Sequence, residues 1–189
     1  TVEKLRQYPQ GYVYKPIDYQ KCLSDPLPTP SGKLEFASLY LKRLGLPEIP
    51  EYQAPSYLTE ADDNYPFVMT TGARKSLIYH SRHQNIARFR DVHPEAEVEI
   101  HPADAADLGI KDGDNVRVVS DVGELVIRAA VKQAAELRQG VVEIYHGWED
   151  WRVNFLTHDE INDPISGFPL LKAVPVRIEK IEVGSNLGH

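Results

Sequence analysis

Four clusters in this chain have residue types suited to holding a polar ligand. In Thr70-Thr71-Gly72-Ala73-Arg74-Lys75 a strand-like run ends at a glycine and two cations follow. Backbone N–H groups exposed at a glycine turn can hold phosphate oxygens. Arginine adds bidentate, charge-assisted hydrogen bonds, which is the chemistry a pyrophosphate needs. An isolated run of this kind is more often a strand-ending turn with solvated charges. Tyr79-His80-Ser81-Arg82-His83-Gln84-Asn85 is dense in neutral donors and acceptors, fit for the heteroatoms of a planar ring or for a plain polar loop. His80 and His83 could also chelate zinc from a helix, although no cysteine and no obvious acidic third ligand lie near them. His146-Gly147-Trp148 offers a stacking wall, and Asn154 two donors and an acceptor. Trp148 and Trp151 fit core or interface positions equally well. Lys172 follows a turn-forming Asp163-Pro164-Ile165-Ser166-Gly167-Phe168-Pro169, where a lone lysine is ordinarily solvated.

Other chemistries have less support. Ser76 or Ser81 with His80 or His83 could be forced into a nucleophile–base pair, but no GxSxG elbow occurs. Neither GxGxxG nor GxxxxGK[ST] is present. The formal charge of -7 argues against nucleic acid or an anionic membrane as the main partner. No apolar run is long enough to span a bilayer. Cys22 is the single cysteine, which excludes an internal disulfide and a four-cysteine iron–sulfur site. Met69 is the single methionine, so Thr1 is not an initiator and the chain reads as a processed protein or a fragment.

The elements that must position these clusters fall into two regions. Residues 1–66 are rich in proline and tyrosine and read as an extended arm or linker. Within it, Ser31–Leu44 has one helical face, Leu34, Ala37, Leu41 and Leu44, stopped by Gly45. From Phe67 onward strands dominate: Phe67–Thr71, Glu97–Ile100, Asn115–Ser120, Glu124–Val131, Val141–Tyr145 and Ala173–Ile181. After the second strand, Pro102 opens a short helix that Gly109 ends. Ser120-Asp121-Val122-Gly123 reads as a hairpin, and Gln133–Gln139 as a short helical turn ended by Gly140. Short strands with glycine turns point to a β-barrel over residues 67–189.

Five segments, in this order, carry a resemblance: TPSGKLEF from Thr29, TTGARKSLIYHSRHQN from Thr70, VEIHPADAADLGIKDGDNVRVVS from Val98, VNFLT from Val153 and DPISGFPLLK from Asp163. Together they resemble the C-terminal dinucleotide-binding domain of the dimethyl-sulfoxide-reductase superfamily, the molybdenum and tungsten oxidoreductases that bind two pyranopterin guanine dinucleotides. The resemblance spans Thr29 to about Ile181. It implies a mainly β fold, a six-stranded double-psi β-barrel with short helices plus the N-terminal arm. It also implies cofactor contacts at Thr71, Gly72, Arg74, Lys75, Tyr79, His80, Ser81, His83, His146, Asn154 and Lys172, with no catalytic residue and no metal ligand in this chain.

On the same resemblance, molybdenum or tungsten, its protein ligand and any iron–sulfur cluster belong to upstream domains of a parent chain. Those domains, the pterin cofactor and electron-transfer subunits are the partners it implies, and the chain alone should be inactive. Two departures stand out. Ala73 separates Gly72 from Arg74, where many relatives have Thr-Gly-Arg contiguous, and Glu149-Asp150 replace apolar or aromatic residues. YHSRHQN with HGW looks closer to the polysulfide-reductase and acetylene-hydratase side than to nitrate reductases, and a hydratase need not perform net redox chemistry. The compartment, prokaryotic cytoplasm or periplasm, stays open. Two alternatives remain: a non-catalytic double-psi barrel that binds proteins, and a small zinc hydrolase built on His80 and His83.

Overall fold

The structure is a computed structural model, described for residues 1–54, 63–134 and 136–181. The chain divides into two compact units, Thr1–Gln53 and Ala54–His189.

The first unit has three short helices, α1 (Val2–Arg6), α2 (Lys21–Ser24) and α3 (Leu39–Arg43), and none contains a buried residue. The helix expected from Ser31 to Leu44 begins only at Leu39, after Ser38, whose hydroxyl accepts the Leu41 N–H. The preceding residues form side-chain-to-backbone bonds instead. Thr29 Oγ1 donates to the Lys33 carbonyl at 2.7 Å, and Glu35 Oε1 accepts the Ser31 N–H at 2.9 Å. Gly32 sits at φ +68. Such local bonds compete with a helix and win here.

In the second unit, period-two patterning becomes a closed barrel. Its strands are β1 (Phe67–Thr70), β2 (Glu97–Ile100), β3 (Asn115–Val119), β4 (Glu124–Val131), β5 (Val141–Ile144) and β6 (Lys172–Lys180). The order around the barrel is β1-β5-β2-β4-β3-β6. β1 pairs parallel with β5, and β2 parallel with β4; the remaining pairs are antiparallel. Sequence neighbours β1 and β2 are thus separated by β5, and β2 and β3 by β4, the crossed order of a double-psi barrel. Alternate residues fill the interior: Met69, Val98, Ile100, Val116, Val118, Ile127, Val142, Ile144 and Val176 are almost wholly buried. Each such side chain contributes about 1.5–3 kcal/mol of burial.

Helix α4 (Ala87–Arg90) precedes β2, and α5 (Pro102–Asp107) follows it. His101 caps α5 by accepting the Ala103 N–H on Nδ1, Pro102 opens it, and Gly109 closes it at φ +65. Buried Asp104 accepts the Gly140 N–H at 2.7 Å and so ties α5 to the start of β5. The hairpin at Ser120–Gly123 joins β3 to β4, and beyond β4 the Glu136 N–H donates to the Gln133 carbonyl at 2.9 Å. A 3-10 helix, Val153–Leu156, anchors the last long loop with buried Val153 and Leu156.

Candidate functional site

The predicted residues arrive on loops that leave the barrel at β1, β5 and the start of β6. β1 ends at Thr70 and runs into the Gly72 turn. Thr71 is held twice: its hydroxyl donates to the Leu171 carbonyl at 2.8 Å, and its carbonyl accepts His146 Nδ1–H at 2.8 Å. The pairing of β1 with β6 slips between Met69 and Thr70, so that Thr70 faces Lys172 while Met69 faces Val174. Ala173 is the extra residue of this bulge, at φ +61. A bulge re-aims a side chain, and here Lys172 lies over Gly72, where an added Cβ would stand 2.7 Å from Lys172 Cε.

A groove of about 510 Å³ results, lined by Thr71, Gly72, Arg74, His80, His146 and Lys172 together with the apolar Phe168, Pro169, Leu170 and Leu171. Among the described residues, neither Arg74 nor Lys172 has an acidic partner within ion-pair distance. The groove is therefore cationic. Burial, then Arg74, His146 and Arg82, hold the His80 imidazole below its usual range. Because a carbonyl only accepts, His146 carries its proton on Nδ1, leaving Nε2 to meet His80 Nδ1. In the neutral His80 imidazole Nδ1–H donates to His146 Nε2, and His80 Nε2 is left as an acceptor.

A second recess of about 440 Å³ adjoins, lined by Ser81, Gln84, Asn85, Gly147, Trp148, Glu149, Arg152, Val153 and Asn154. Its base is a close approach of two loops. Gly147 sits at φ +100 against the His80–Ser81 peptide, where a Cβ would lie 2.6 Å from the His80 carbonyl carbon. Gln84 Nε2 donates to the Gly147 carbonyl at 2.8 Å and clamps the same contact. Leu77, His80 and His83 all adopt positive φ in this loop. Each such residue stores backbone strain of about 1–3 kcal/mol, which collects at functional sites.

The structure thus brings Thr71, Gly72, Arg74, His80, His146 and Lys172 to one groove, and Ser81 and Asn154 to its neighbour. Lys75, Tyr79 and His83 line neither. Lys75 is paired with Glu97, its side chain 8% exposed, and its ammonium lies 4.9 Å from the Tyr145 ring centre. Tyr79 stacks edge-on to His80 beneath the Arg74 and Arg82 guanidiniums. His83 packs on Phe89. Among the described residues no group of three or more His, Cys, Asp or Glu side chains is placed to hold a metal ion. The Ala73 N–H, a candidate phosphate donor, is committed to Glu143 Oε1 at 2.9 Å. Arg152 and the Phe168–Leu171 segment were not candidates from the sequence, and Gln84 was named only within its polar run. Gln84 stands inside the polar run that drew attention to His80, so its neighbourhood was a signal; the apolar segment reads as ordinary loop.

A closed barrel with ligand-sized recesses on its loops is the architecture of a family of cofactor-binding domains. Residues 67–175 match the family model described as molydopterin dinucleotide binding domain, and the chain belongs to that family. Dopamine dehydroxylase of Eggerthella lenta is 30% identical over 176 residues, covering 80% of this chain and 17% of that protein. Dimethyl sulfoxide/trimethylamine N-oxide reductase of Cereibacter sphaeroides is 35% identical over 138 residues, covering 68% of this chain and 16% of that protein. The solved acetylene hydratase from Pelobacter acetylenicus superposes with a TM-score of 0.78 at 23% identity, over 93% of this chain and 27% of that one, and shares the fold. The chain spans about a sixth of the length of these curated relatives.

Proposed function

We propose that this chain is the cofactor-clamping C-terminal domain of a longer molybdenum or tungsten oxidoreductase, holding one side of a bis-(pyranopterin guanine dinucleotide) cofactor. The observation that carries the reading is the convergence of Arg74, Lys172, His80 and His146, distant in sequence, on one cationic groove that Phe168, Pro169, Leu170 and Leu171 also line. The donor set fits the group. Arg74 and Lys172 would meet pyrophosphate oxygens. His80 and the Asn154 amide would meet the ring edges of pterin or guanine. Both recesses lie in the size range of small-molecule sites. When bound, the cofactor supplies the metal and its electron-pair chemistry; the residues here bind it, orient it and set its electrostatic surroundings. The metal's protein ligand, any iron–sulfur cluster and the contacts to electron-transfer subunits belong, on this reading, to the rest of the protein.

The test uses the full-length parent. Asn154→Ala should lower pterin and metal content together, since an unmet polar edge on a buried ring costs about 1–3 kcal/mol. Arg74→Ala should weaken retention more than Arg74→Lys, because lysine keeps the charge and loses the planar fork. Equal pterin and metal in wild type and both alanine variants would reject the reading and favour a protein-binding barrel.

A further inference from the structure

Glu143 is a buried carboxyl that the proposed ligand contacts do not use. It lies on β5 between two interior residues, Val142 and Ile144, so its side chain leaves the barrel on the outer face. An acid there should meet water, yet Glu143 is 5% exposed. Its carboxyl accepts the Ala73 N–H at 2.9 Å and is hydrogen-bonded by the Thr70 side chain, its neighbour on β1. Three residues on, His146 Nδ1–H donates to the Thr71 carbonyl. The two peptide groups flanking Gly72 are therefore both gripped from β5 and the loop that follows it, one through its carbonyl and one through its N–H. Arg74 leaves this turn, and Lys172 lies across it.

We propose that Glu143 is a positioning residue: its carboxyl locks the Gly72 turn, and with it Arg74, in one conformation.

The charges around Glu143 set how this lock titrates. Glu99 stands directly opposite on β2 and pairs with Lys132 at 3.0 Å; Glu97 pairs with Lys75; the Tyr145 hydroxyl is bonded to Glu99; His146 lies on the loop beyond β5. Burial and Glu99 push the Glu143 carboxyl above the usual carboxylate range, while the Ala73 N–H, Thr70 and His146 oppose them. An ionised carboxylate accepts an N–H more strongly than a neutral acid does. The Ala73 bond itself should therefore strengthen as Glu143 ionises, while burial and Glu99 make ionisation costly to the folded turn as a whole.

The experiment is backbone-amide NMR on this chain as parent, Glu143→Gln and Glu143→Ala. In the parent the Ala73 amide proton should move downfield with one pH step. Glu143→Gln should keep Ala73 protected and abolish the step. Glu143→Ala should let Ala73 exchange about 10- to 100-fold faster, with Val142 and Ile144 amides unchanged. Unchanged Ala73 exchange in the alanine variant, or a pH step that survives in Glu143→Gln, would overturn the assignment. If the alanine variant loses the barrel amides as a whole, the pH step in the glutamine variant decides alone.

The consequence for binding rests on the proposed ligand reading, and inorganic pyrophosphate tests it separately. It should shift the Gly72–Lys75 amides in the parent and in Glu143→Gln, and do so at least ten-fold more weakly in Glu143→Ala, on the order expected for one charge-assisted bond. No shift in the parent would count against the ligand reading, while the Ala73 exchange result would still decide the grip.

Discussion

At Gly147 the backbone adopts φ +100, and a methyl group would overlap the His80–Ser81 peptide. Both penalties fall on backbone, which cannot swing aside as a side chain can. Gly147→Ala should destabilise the barrel by about 2–4 kcal/mol, from left-handed strain and overpacking together. It should also separate the two recesses; a thermal melt together with the amide shifts of His80 and Ser81 measures both effects. Gly72→Ala is a contrasting case, because the flexible end of Lys172 is what it meets. That variant should melt within about 1 kcal/mol of the parent, as side chains that can move relieve the contact. At this scale the sequence was partly legible. Arg74, His80, His146 and Lys172 declared themselves by type and by family order. Glu143 did not, because an acid in Val-Val-Glu-Ile reads as the wet face of a strand, and nothing local shows that a turn will cover it. Lys75 looked like a second groove cation for the same reason: Glu97, its partner, lies on a different strand.

Among the elements, the start of β6 depends most on an irregularity. The bulge puts Ala173 at φ +61, a conformation glycine adopts at no steric cost. Ala173→Gly should be neutral or stabilising, whereas Ala173→Val should cost more than about 1 kcal/mol, since a β-branched residue tolerates left-handed φ poorly. Denaturant midpoints check both. Loss of Lys172 positioning in Ala173→Val would appear as weaker pyrophosphate binding. The strand boundaries were legible because the barrel interior takes every second residue, and that alternation is written into Val98/Ile100, Val116/Val118 and Val174/Val176. The bulge was not, since no glycine marks it. Nor was the shortened α3: Leu34, Ala37, Leu41 and Leu44 have helical spacing, but Thr29 and Glu35 offer the backbone better local partners.

For the molecule as a whole, the carboxyls predict the pH profile. Glu179 is held below its usual range by Arg177, and Asp114 by the Lys111 N–H and then Lys180. Their contributions are present above the ordinary carboxylate range and are lost as pH falls through their lowered values. Glu143 has the opposite sign. Its raised value means that folding disfavours the ionised form, so parent stability relative to Glu143→Gln should decline as pH rises from about 4.5 through that raised value. Urea midpoints of the two proteins across pH would show the crossing trend. The core itself should respond as a packed interior does, with Met69→Ala costing about 2–5 kcal/mol. The ring order of the strands was the least legible property, because β1 is flanked by β5 and β6, which lie far along the chain. Family resemblance supplied that crossing, and alternation alone could not.

Closure of the ladder between β1 and β6 has one further effect. A sheet with free edges presents unpaired N–H and C=O groups that template the addition of another chain. Each of these six strands is paired on both sides, so strand addition has no starting point on the barrel. Self-association should instead begin at exposed apolar loop residues such as Phe155, Ile165 and Phe168. Light scattering of a concentrated solution should therefore fall when Phe168 is replaced by serine, and should not respond to charges introduced on the outer face of β3.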